Sequence, residues 1–232
     1  MTATPAPSDE ALLAAALSGQ RRALARLLTK VEAGEGEAIL HALRAHTRGA
    51  HLIGLTGPPG TGKSTLAARM AQELRRRGQT VAIVAVDPSS PLTGGAMLGD
   101  RVRMAELAAD EGIFVRSMAS RGTGGGLAEH TATVAAVLAA AGFQAVLIET
   151  VGTGQDEHAV ANTAQTTIVI TAPGLGDEIQ ALKAGILELA DILVVNQADR
   201  DGADQLMAAL TLASPRPRAA GSSEFRVPSS ES

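Results

Sequence analysis

Short apolar segments recur along the chain from residue 51 onward, each followed by a turn and a stretch with helical spacing. They predict strands at 51–56, 81–86, 113–116, 145–148, 167–172 and 192–195. Apolar strands that alternate with helices are typical of a parallel sheet covered on both faces. We therefore predict an α/β fold over residues 49–213, with a mostly parallel sheet flanked by helices.

The two ends of the chain show other patterns. Leucines at helical spacing over 12–31 and a further apolar stretch at 38–46 predict helices, and Ser8 followed by two acidic residues is typical of a helix start. Residues 1–48 therefore predict a helical N-terminal extension. Residues 214–232 are rich in Pro, Ser and Arg without periodicity and predict an irregular or disordered tail.

Composition narrows the classes of function. The 232 residues include no Cys, Trp or Tyr and three Phe, which excludes a disulfide scaffold, a thiolate metal site and an aromatic platform for single-stranded nucleic acid. The net charge of −4 argues against a nucleic-acid partner. No signal peptide or apolar span is present in the sequence, so we expect no membrane association and a cytoplasmic location.

The segment after the first predicted strand carries the strongest motif. It matches G-x-x-x-x-G-K-[ST] and is followed by a helical stretch at 66–77. In this pattern backbone N–H groups surround a phosphate, the lysine reaches the β and γ oxygens, and the hydroxyl holds Mg²⁺. The sequence predicts a nucleoside triphosphate site formed by Gly57, Pro58, Pro59, Gly60, Thr61, Gly62, Lys63 and Ser64.

Acidic residues follow two later strands. Asp87 closes the second predicted strand, and Glu149 closes the fourth and leads into Gly152. An acid at this edge can hold Mg²⁺ directly or through water, and a glycine after it lets a backbone N–H meet the γ-phosphate. Asp100 is a third candidate metal residue. For any single acid, a helix cap or a solvated turn is the alternative interpretation.

The last predicted strand leads into Asn196-Gln197-Ala198-Asp199. An Asn followed three residues later by an Asp is the arrangement of GTPases, in which Asp199 would accept from the guanine N1–H and amino group and Asn196 would tie its loop to the P-loop. Adenine has no amino group at this position, so its binding would leave the carboxylate without a hydrogen-bond partner and is disfavoured. A turn with helix-capping residues is the alternative.

Together these segments resemble the MeaB/ArgK family of GTPases associated with methylmalonyl-CoA mutase. The resemblance covers about residues 10–213, and its matching stretches are GLTGPPGTGKSTL (54–66), VAVDPSSPLTGGAMLGDRVRM (84–104), RSMASRGTGGGLAEHT (116–131), GFQAVLIETVGTGQDEHAVA (142–161) and TAPGLGDEIQALKAGILELADILVVNQAD (171–199).

The resemblance implies Mg²⁺-dependent binding and slow hydrolysis of GTP. It also implies partnership with an adenosylcobalamin-dependent mutase, with gating of cofactor loading and protection of that enzyme. By position it assigns phosphate and Mg²⁺ to Lys63, Ser64 and Thr65, the metal and first switch to Asp87 and Asp100, the second switch to Glu149 and Gly152, guanine to Asn196 and Asp199, and a third switch to Gly174–Gly185 with Asp177, Glu178 and Lys183.

Two positions depart from the family pattern. Gln197 stands where the family usually has Lys, and the shorter neutral side chain is expected to weaken GTP binding by about 1 kcal/mol. The family continues with a further strand, a guanine-contacting loop and a dimerisation arm, where this chain reads GSSEFRVPSSES. The sequence therefore suggests truncation, an open sheet edge and an undetermined oligomeric state.

Three other functions compete with this interpretation. An ATPase or kinase of an amino-acid transport system would share the P-loop, but Asn196 and Asp199 argue against ATP. A nickel-inserting GTPase needs clustered Cys and His ligands, which the sequence does not offer. A truncated remnant that no longer hydrolyses nucleotide is the third alternative.

Overall fold

The computed structural model describes residues 8–43, 49–88, 107, 109–120, 126–150, 155–174 and 185–213. Within these ranges the strands are β1 (His51–Thr56), β2 (Val81–Pro88), β3 (Ile113–Ser120), β4 (Ala145–Thr150), β5 (Thr166–Thr171) and β6 (Ile192–Val195). The helices are α1 (Asp9–Leu17), α2 (Arg21–Glu32), α3 (Gly36–Leu43), α4 (Lys63–Arg76), α5 (Gly126–Ala140), α6 (Gln155–Thr163) and α7 (Ala203–Ala213), with a 3₁₀ turn at Ile186–Leu189. None of the helices in the described ranges is long and apolar enough to cross a membrane.

The strands form one parallel sheet in the order β3-β2-β4-β1-β5-β6. Its class and the positions of all six strands confirm the prediction. β2 and β3 extend past the predicted ends because Pro88 and Ser120 still pair with each other. Leu55 of β1 lies in register with Glu149 of β4 and Ile168 of β5. The loops that follow these three strands therefore meet at one edge of the sheet.

Alternating side chains cover both faces of the sheet. Val81 and Ile83 of β2 belong to the apolar cluster under α4, whereas Ala82 and Val84 belong to the cluster under α5. This alternation follows from the two-residue period of a strand. A third, smaller cluster joins β5, the 3₁₀ turn and α7. Burial on both faces explains why the strands read as continuous apolar segments.

The N-terminal helices dock on the edge strand β3 through two arginines. Arg21 donates hydrogen bonds to the carbonyl oxygens of Glu111 (2.9 Å) and Ile113 (2.5 Å). Arg116 of β3 makes a two-point ion pair with Glu32, with donor–acceptor distances of 2.7 and 2.8 Å. These contacts attach α2 to β3 and to the segment that leads into it.

The predicted extension is helical, as expected, and it shares a core with the sheet. Buried residues of α1, α2 and α3 lie in the same cluster as β2, β3, β4 and α5. α3 begins at Gly36, two residues before the predicted start, and residues 44–48 lie outside the described ranges. The boundary at residue 48 remains a prediction about the domains, and this shared core joins the two sides of it.

Helix α6 packs against β1 at a glycine. A Cβ placed on Gly54 would lie 2.8 Å from Val160 Cγ1 and 3.1 Å from Ala164 Cβ. Val160 is itself buried. The missing side chain therefore sets how closely α6 approaches the strand that leads into the P-loop.

We expect Gly54→Ala to destabilise the fold by about 1–3 kcal/mol, because the added methyl must displace α6. Thermal and denaturant unfolding measure the change. Val160→Ala removes the nearest contact atom, so in the double variant the cost of the alanine at position 54 should fall. Gly49→Ala is the matched control, since a Cβ placed on Gly49 would have no atom within 4 Å. Parental stability of Gly54→Ala would contradict the packing argument.

Candidate nucleotide-binding site

The turn between β1 and α4 depends on two glycines. Gly57 has φ +133°, and a Cβ on it would lie 1.9 Å from the carbonyl oxygen of Ile170 in β5. Gly62 has φ +87° and precedes the first residue of α4, where a Cβ would lie 2.5 Å from Asn196 Nδ2. Both positions combine left-handed backbone with close neighbours, so only glycine fits them. The loop is thereby held against β5 and against the segment after β6.

Lys63 lies inside this loop. The residue is 6% exposed, and Nζ donates to the carbonyl oxygens of Gly57 and Pro58 at 2.8 Å each. Thr61 Oγ1 donates to the same Pro58 oxygen at 2.9 Å. The positive charge of this ammonium adds to that of the N-terminus of α4. Together they favour an anion within the loop.

Ser64, in the first turn of α4, and Glu149 of β4 are joined by a hydrogen bond. Ser64 Oγ donates to Glu149 Oε1 at 2.5 Å, and Glu149 is buried. A hydroxyl and a carboxylate are the hard oxygen ligands that Mg²⁺ prefers, and Mg²⁺ usually takes its remaining ligands from water and phosphate. The described residues contain no group of three or more His, Cys, Asp or Glu suited to a metal. This pair therefore fits Mg²⁺ bound together with a phosphate ligand.

The segment after β6 contacts the P-loop through two neighbouring amides. Asn196 Nδ2 donates to the Thr61 carbonyl at 2.7 Å, which is the contact that the sequence predicts for this residue. Gln197 Nε2 donates to the Gly60 carbonyl at 3.1 Å. Gln197 has φ +56°, a left-handed conformation that is uncommon for a residue with a side chain. Two consecutive carbonyls of the P-loop are thus held by two consecutive side chains.

Asp199 is exposed and lies in a turn closed by the hydrogen bond from the Arg200 N–H to the Gln197 carbonyl (3.0 Å). The turn follows directly on the contacts of Asn196 and Gln197, which fix its position relative to the phosphate loop. An exposed carboxylate next to the P-loop is accessible to the base of a nucleotide.

The structure thus brings the P-loop, Ser64, Glu149, Asn196 and Asp199 to one edge of the sheet. Asp87 lies in β2 with its backbone in register with Ala119, and its side chain lies outside the described part. Thr65 is exposed in the first turn of α4. Five further predicted site residues lie outside the described ranges: Asp100, Gly152, Asp177, Glu178 and Lys183.

The contact of Gln197 with Gly60 is not predicted by the sequence, in which Gln197 stands only as a shorter, neutral replacement for a lysine. Its adjacency to Asn196 is the available signal, because a loop tied to the P-loop at one residue brings the next residue close as well.

The sheet is parallel, and its strand β1 leads through a G-x-x-x-x-G-K-S loop into a helix, with an acid on the neighbouring strand β4. These features define a P-loop nucleoside triphosphatase fold. The family model described as "Methylmalonyl Co-A mutase-associated GTPase MeaB" matches residues 24–225. The chain belongs to this family.

Relatives from several organisms support the assignment. A Pyrococcus horikoshii protein that bears a GTPase name is 50% identical over 209 residues, which cover 89% of this chain and 66% of the relative. GTPase ArgK of Escherichia coli is 38% identical, covering 83% of this chain and 61% of the relative. The mouse mitochondrial "methylmalonic aciduria type A homolog" is 36% identical, and the match covers 80% of this chain and 48% of the relative. The chain therefore spans less than two thirds of the length of these relatives.

Solved structures agree on the fold. A crystal structure named LAO/AO transport system kinase is 28% identical with a TM-score of 0.67, covering 90% of this chain and 62% of that one. The hydrogenase maturation factor HypB of Archaeoglobus fulgidus is 17% identical with a TM-score of 0.54, and the match covers 82% of this chain and 86% of HypB. At this identity the HypB match shows the fold alone.

We expect Asn196→Ala to cost about 1 kcal/mol of stability and to loosen the P-loop, since the hydrogen bond to the Thr61 carbonyl is lost. Denaturant unfolding measures the stability, and amide hydrogen exchange of residues 57–62 measures the loosening. Asn162→Ala, at an exposed position of α6, is the control and should change neither. Unchanged exchange in the P-loop of Asn196→Ala would show that this contact does not hold the loop.

Proposed function

We propose that the chain binds GTP with Mg²⁺ and hydrolyses it slowly. The observation that carries the proposal is the 2.7 Å hydrogen bond from Asn196 to the Thr61 carbonyl, which holds the segment leading into the Asp199 turn against the P-loop. The family assignment and the GTPase names of the relatives support it. Fold likeness alone would not distinguish GTP from ATP.

Each residue of the site has a part in this reaction. Backbone N–H groups of residues 57–62 and the Lys63 ammonium would hold the β and γ phosphates, as phosphate oxygens compete with the carbonyls of Gly57 and Pro58 for the ammonium. Ser64 and Glu149, with Asp87 and Asp100, would hold Mg²⁺, which supplies positive charge for the γ-phosphoryl group. Thr65 follows in α4 and would add to phosphate binding.

Hydrolysis would proceed by in-line attack of water on the γ-phosphate. The Gly152 backbone would meet the γ-phosphate oxygens as part of the second switch. No glutamine directly follows Gly152 to orient the water, so we expect slow intrinsic turnover, below about one per second.

The turn after β6 would select the base of the nucleotide. Asp199 would accept from the guanine N1–H and amino group, and adenine would leave that carboxylate without donors. Gln197 is expected to lower affinity without changing the preference, because its amide is engaged with Gly60 rather than extended over a base.

The partner is proposed to be an adenosylcobalamin-dependent mutase such as methylmalonyl-CoA mutase. The family description and the name of the mouse relative support this partner. In this role the nucleotide state would gate cofactor loading and protection of the mutase. Residues Gly174–Gly185 would be the segment that couples the nucleotide state to the mutase. The complex would form in the cytoplasm.

A kinase or ATPase of a transport system is the second candidate, favoured by the name of one similar solved structure. It requires ATP and an acceptor hydroxyl, whereas the turn containing Asp199 favours guanine. The nucleotide preference therefore separates the two.

Calorimetry with GTP and ATP in the presence of Mg²⁺ should show micromolar GTP binding and ATP binding at least about tenfold weaker. Asp199→Ala should lose the preference, because the carboxylate that reads guanine is removed. Asp201→Ala, which removes a neighbouring exposed carboxylate, should retain it. Replacing Mg²⁺ with EDTA should weaken GTP binding.

Equal affinity for both nucleotides in the parent chain would overturn the guanine assignment. Preference for ATP together with phosphoryl transfer to a hydroxyl acceptor would establish the kinase. Absence of binding to either nucleotide would support the non-hydrolysing remnant.

The mutase partnership predicts that a purified adenosylcobalamin-dependent mutase comigrates with this chain on gel filtration, to a different extent with a non-hydrolysable GTP analogue than with GDP. The reason is that a coupling segment must differ between the two nucleotide states. Lys63→Ala, which removes the ammonium proposed to hold the phosphates, serves as the control that should lose the nucleotide dependence. A chain that binds GTP but comigrates in neither state would contradict the partnership.

A further inference from the structure

The turn after β6 ends in an arginine to which the proposed function gives no part. The turn spans residues 197–200 and is closed by the hydrogen bond from the Arg200 N–H to the Gln197 carbonyl (3.0 Å). A turn closed in this way brings its first and fourth residues within about 7 Å of each other. Arg200 therefore returns to the neighbourhood of Gln197, and Asp199, which we assign to guanine, lies between them in the turn.

Gln197 brings no positive charge to this turn. Its Nε2 donates to the Gly60 carbonyl at 3.1 Å, and its Oε1 is buried without a hydrogen-bond partner among the described residues. The amide is thus bonded to the P-loop at its nitrogen and enclosed by the protein at its oxygen. A cation that contacts the base must come from another residue of the turn.

Arg200 is free to supply that cation. It is exposed, and within the described ranges its side chain forms no hydrogen bond or ion pair, although Asp199 and Asp201 flank it in the sequence. It is also the only basic residue between Lys183 and Arg216. No described contact therefore has to break before its guanidinium meets a ligand.

A planar cation suits the face of a nucleobase. Bases pack on aromatic side chains or on the flat guanidinium of arginine. The sequence has no Trp or Tyr. In the described part of the chain Phe114 and Phe143 pack on each other, with ring centroids 5.8 Å apart, and Phe114 belongs to β3, at the opposite edge of the sheet from β6. Neither ring is near the turn, whereas Arg200 is part of it.

We propose that Arg200 contacts the base of the nucleotide, with its guanidinium packed on a face of the ring while Asp199 binds the edge. This role deepens the proposed function and rests on it. Packing on a ring face does not depend on the groups at the ring edge, because every base has such a face. Arg200 therefore adds affinity for guanine and adenine nucleotides alike, whereas Asp199 adds the preference for guanine.

Calorimetry on Arg200→Ala tests this division. Binding of GTP, GDP and ATP should each weaken by about fivefold, so that the ratio of GTP to ATP affinity stays parental. Asp199→Ala should change that ratio instead. Arg200→Lys keeps the charge without the planar group and should recover only part of the lost affinity.

Arg22→Ala is the matched control for net charge. Arg22 is an exposed residue of α2, in the N-terminal helices, and its removal should leave nucleotide binding at the parental level. Thermal unfolding without nucleotide should give the same midpoint for Arg200→Ala as for the parent, because an exposed side chain without contacts is removed.

The outcomes separate the two proposals. A parent chain that binds neither nucleotide overturns the proposed function and the role of Arg200 with it. In a parent that binds GTP, unchanged affinity of Arg200→Ala, an equal loss in Arg22→Ala or a changed ratio of GTP to ATP overturns the role of Arg200 alone. A larger loss for GTP than for GDP, which indicates a phosphate contact, or full recovery in Arg200→Lys, which indicates charge alone, does the same.

Discussion

The position of β1 between β4 and β5 determines where the described parts of the site lie. A parallel sheet brings the carboxyl ends of its strands to one edge, so the loop after β1 has β4 on one side and β5 on the other. Glu149 reaches Ser64 from the first side, and the backbone of Ile170 meets Gly57 from the second. β6 then adds Asn196 one strand further out. The chemistry of the loop is local, but its placement comes from the order of the strands.

The fold could be predicted from sequence because its strands are buried on both faces. Continuous apolar segments such as VAIVAV at 81–86 indicate burial on both faces, and the polar residues and turns that follow them mark where each segment ends. Lys63 and Asn196 could be predicted because their chemistry requires fixed neighbours in the sequence. The ends of β2 and β3 could not, since a strand ends where its partner ends, and Pro88 pairs with a residue of another strand.

Contacts between distant parts of the chain escaped prediction, for the same reason, wherever no motif indicates them. Arg116 lies 84 residues from Glu32, and neither residue stands in a motif that indicates the pair. The bond from Gln197 to Gly60 depends on a left-handed backbone at Gln197 that no residue type required there. Local patterns specify which elements form, whereas long-range hydrogen bonds depend on how those elements are finally arranged.

Gly62 serves two halves of the site at once. It gives the P-loop its turn into α4, and the space where its side chain would be is filled by the amide of Asn196. A Cβ at position 62 would displace the Asn196 amide and with it the hydrogen bond to the Thr61 carbonyl. A substitution at this one position would therefore disturb both the turn into α4 and the attachment of the segment after β6, so that two parts of the chain far apart in the sequence share a single requirement for an absent side chain.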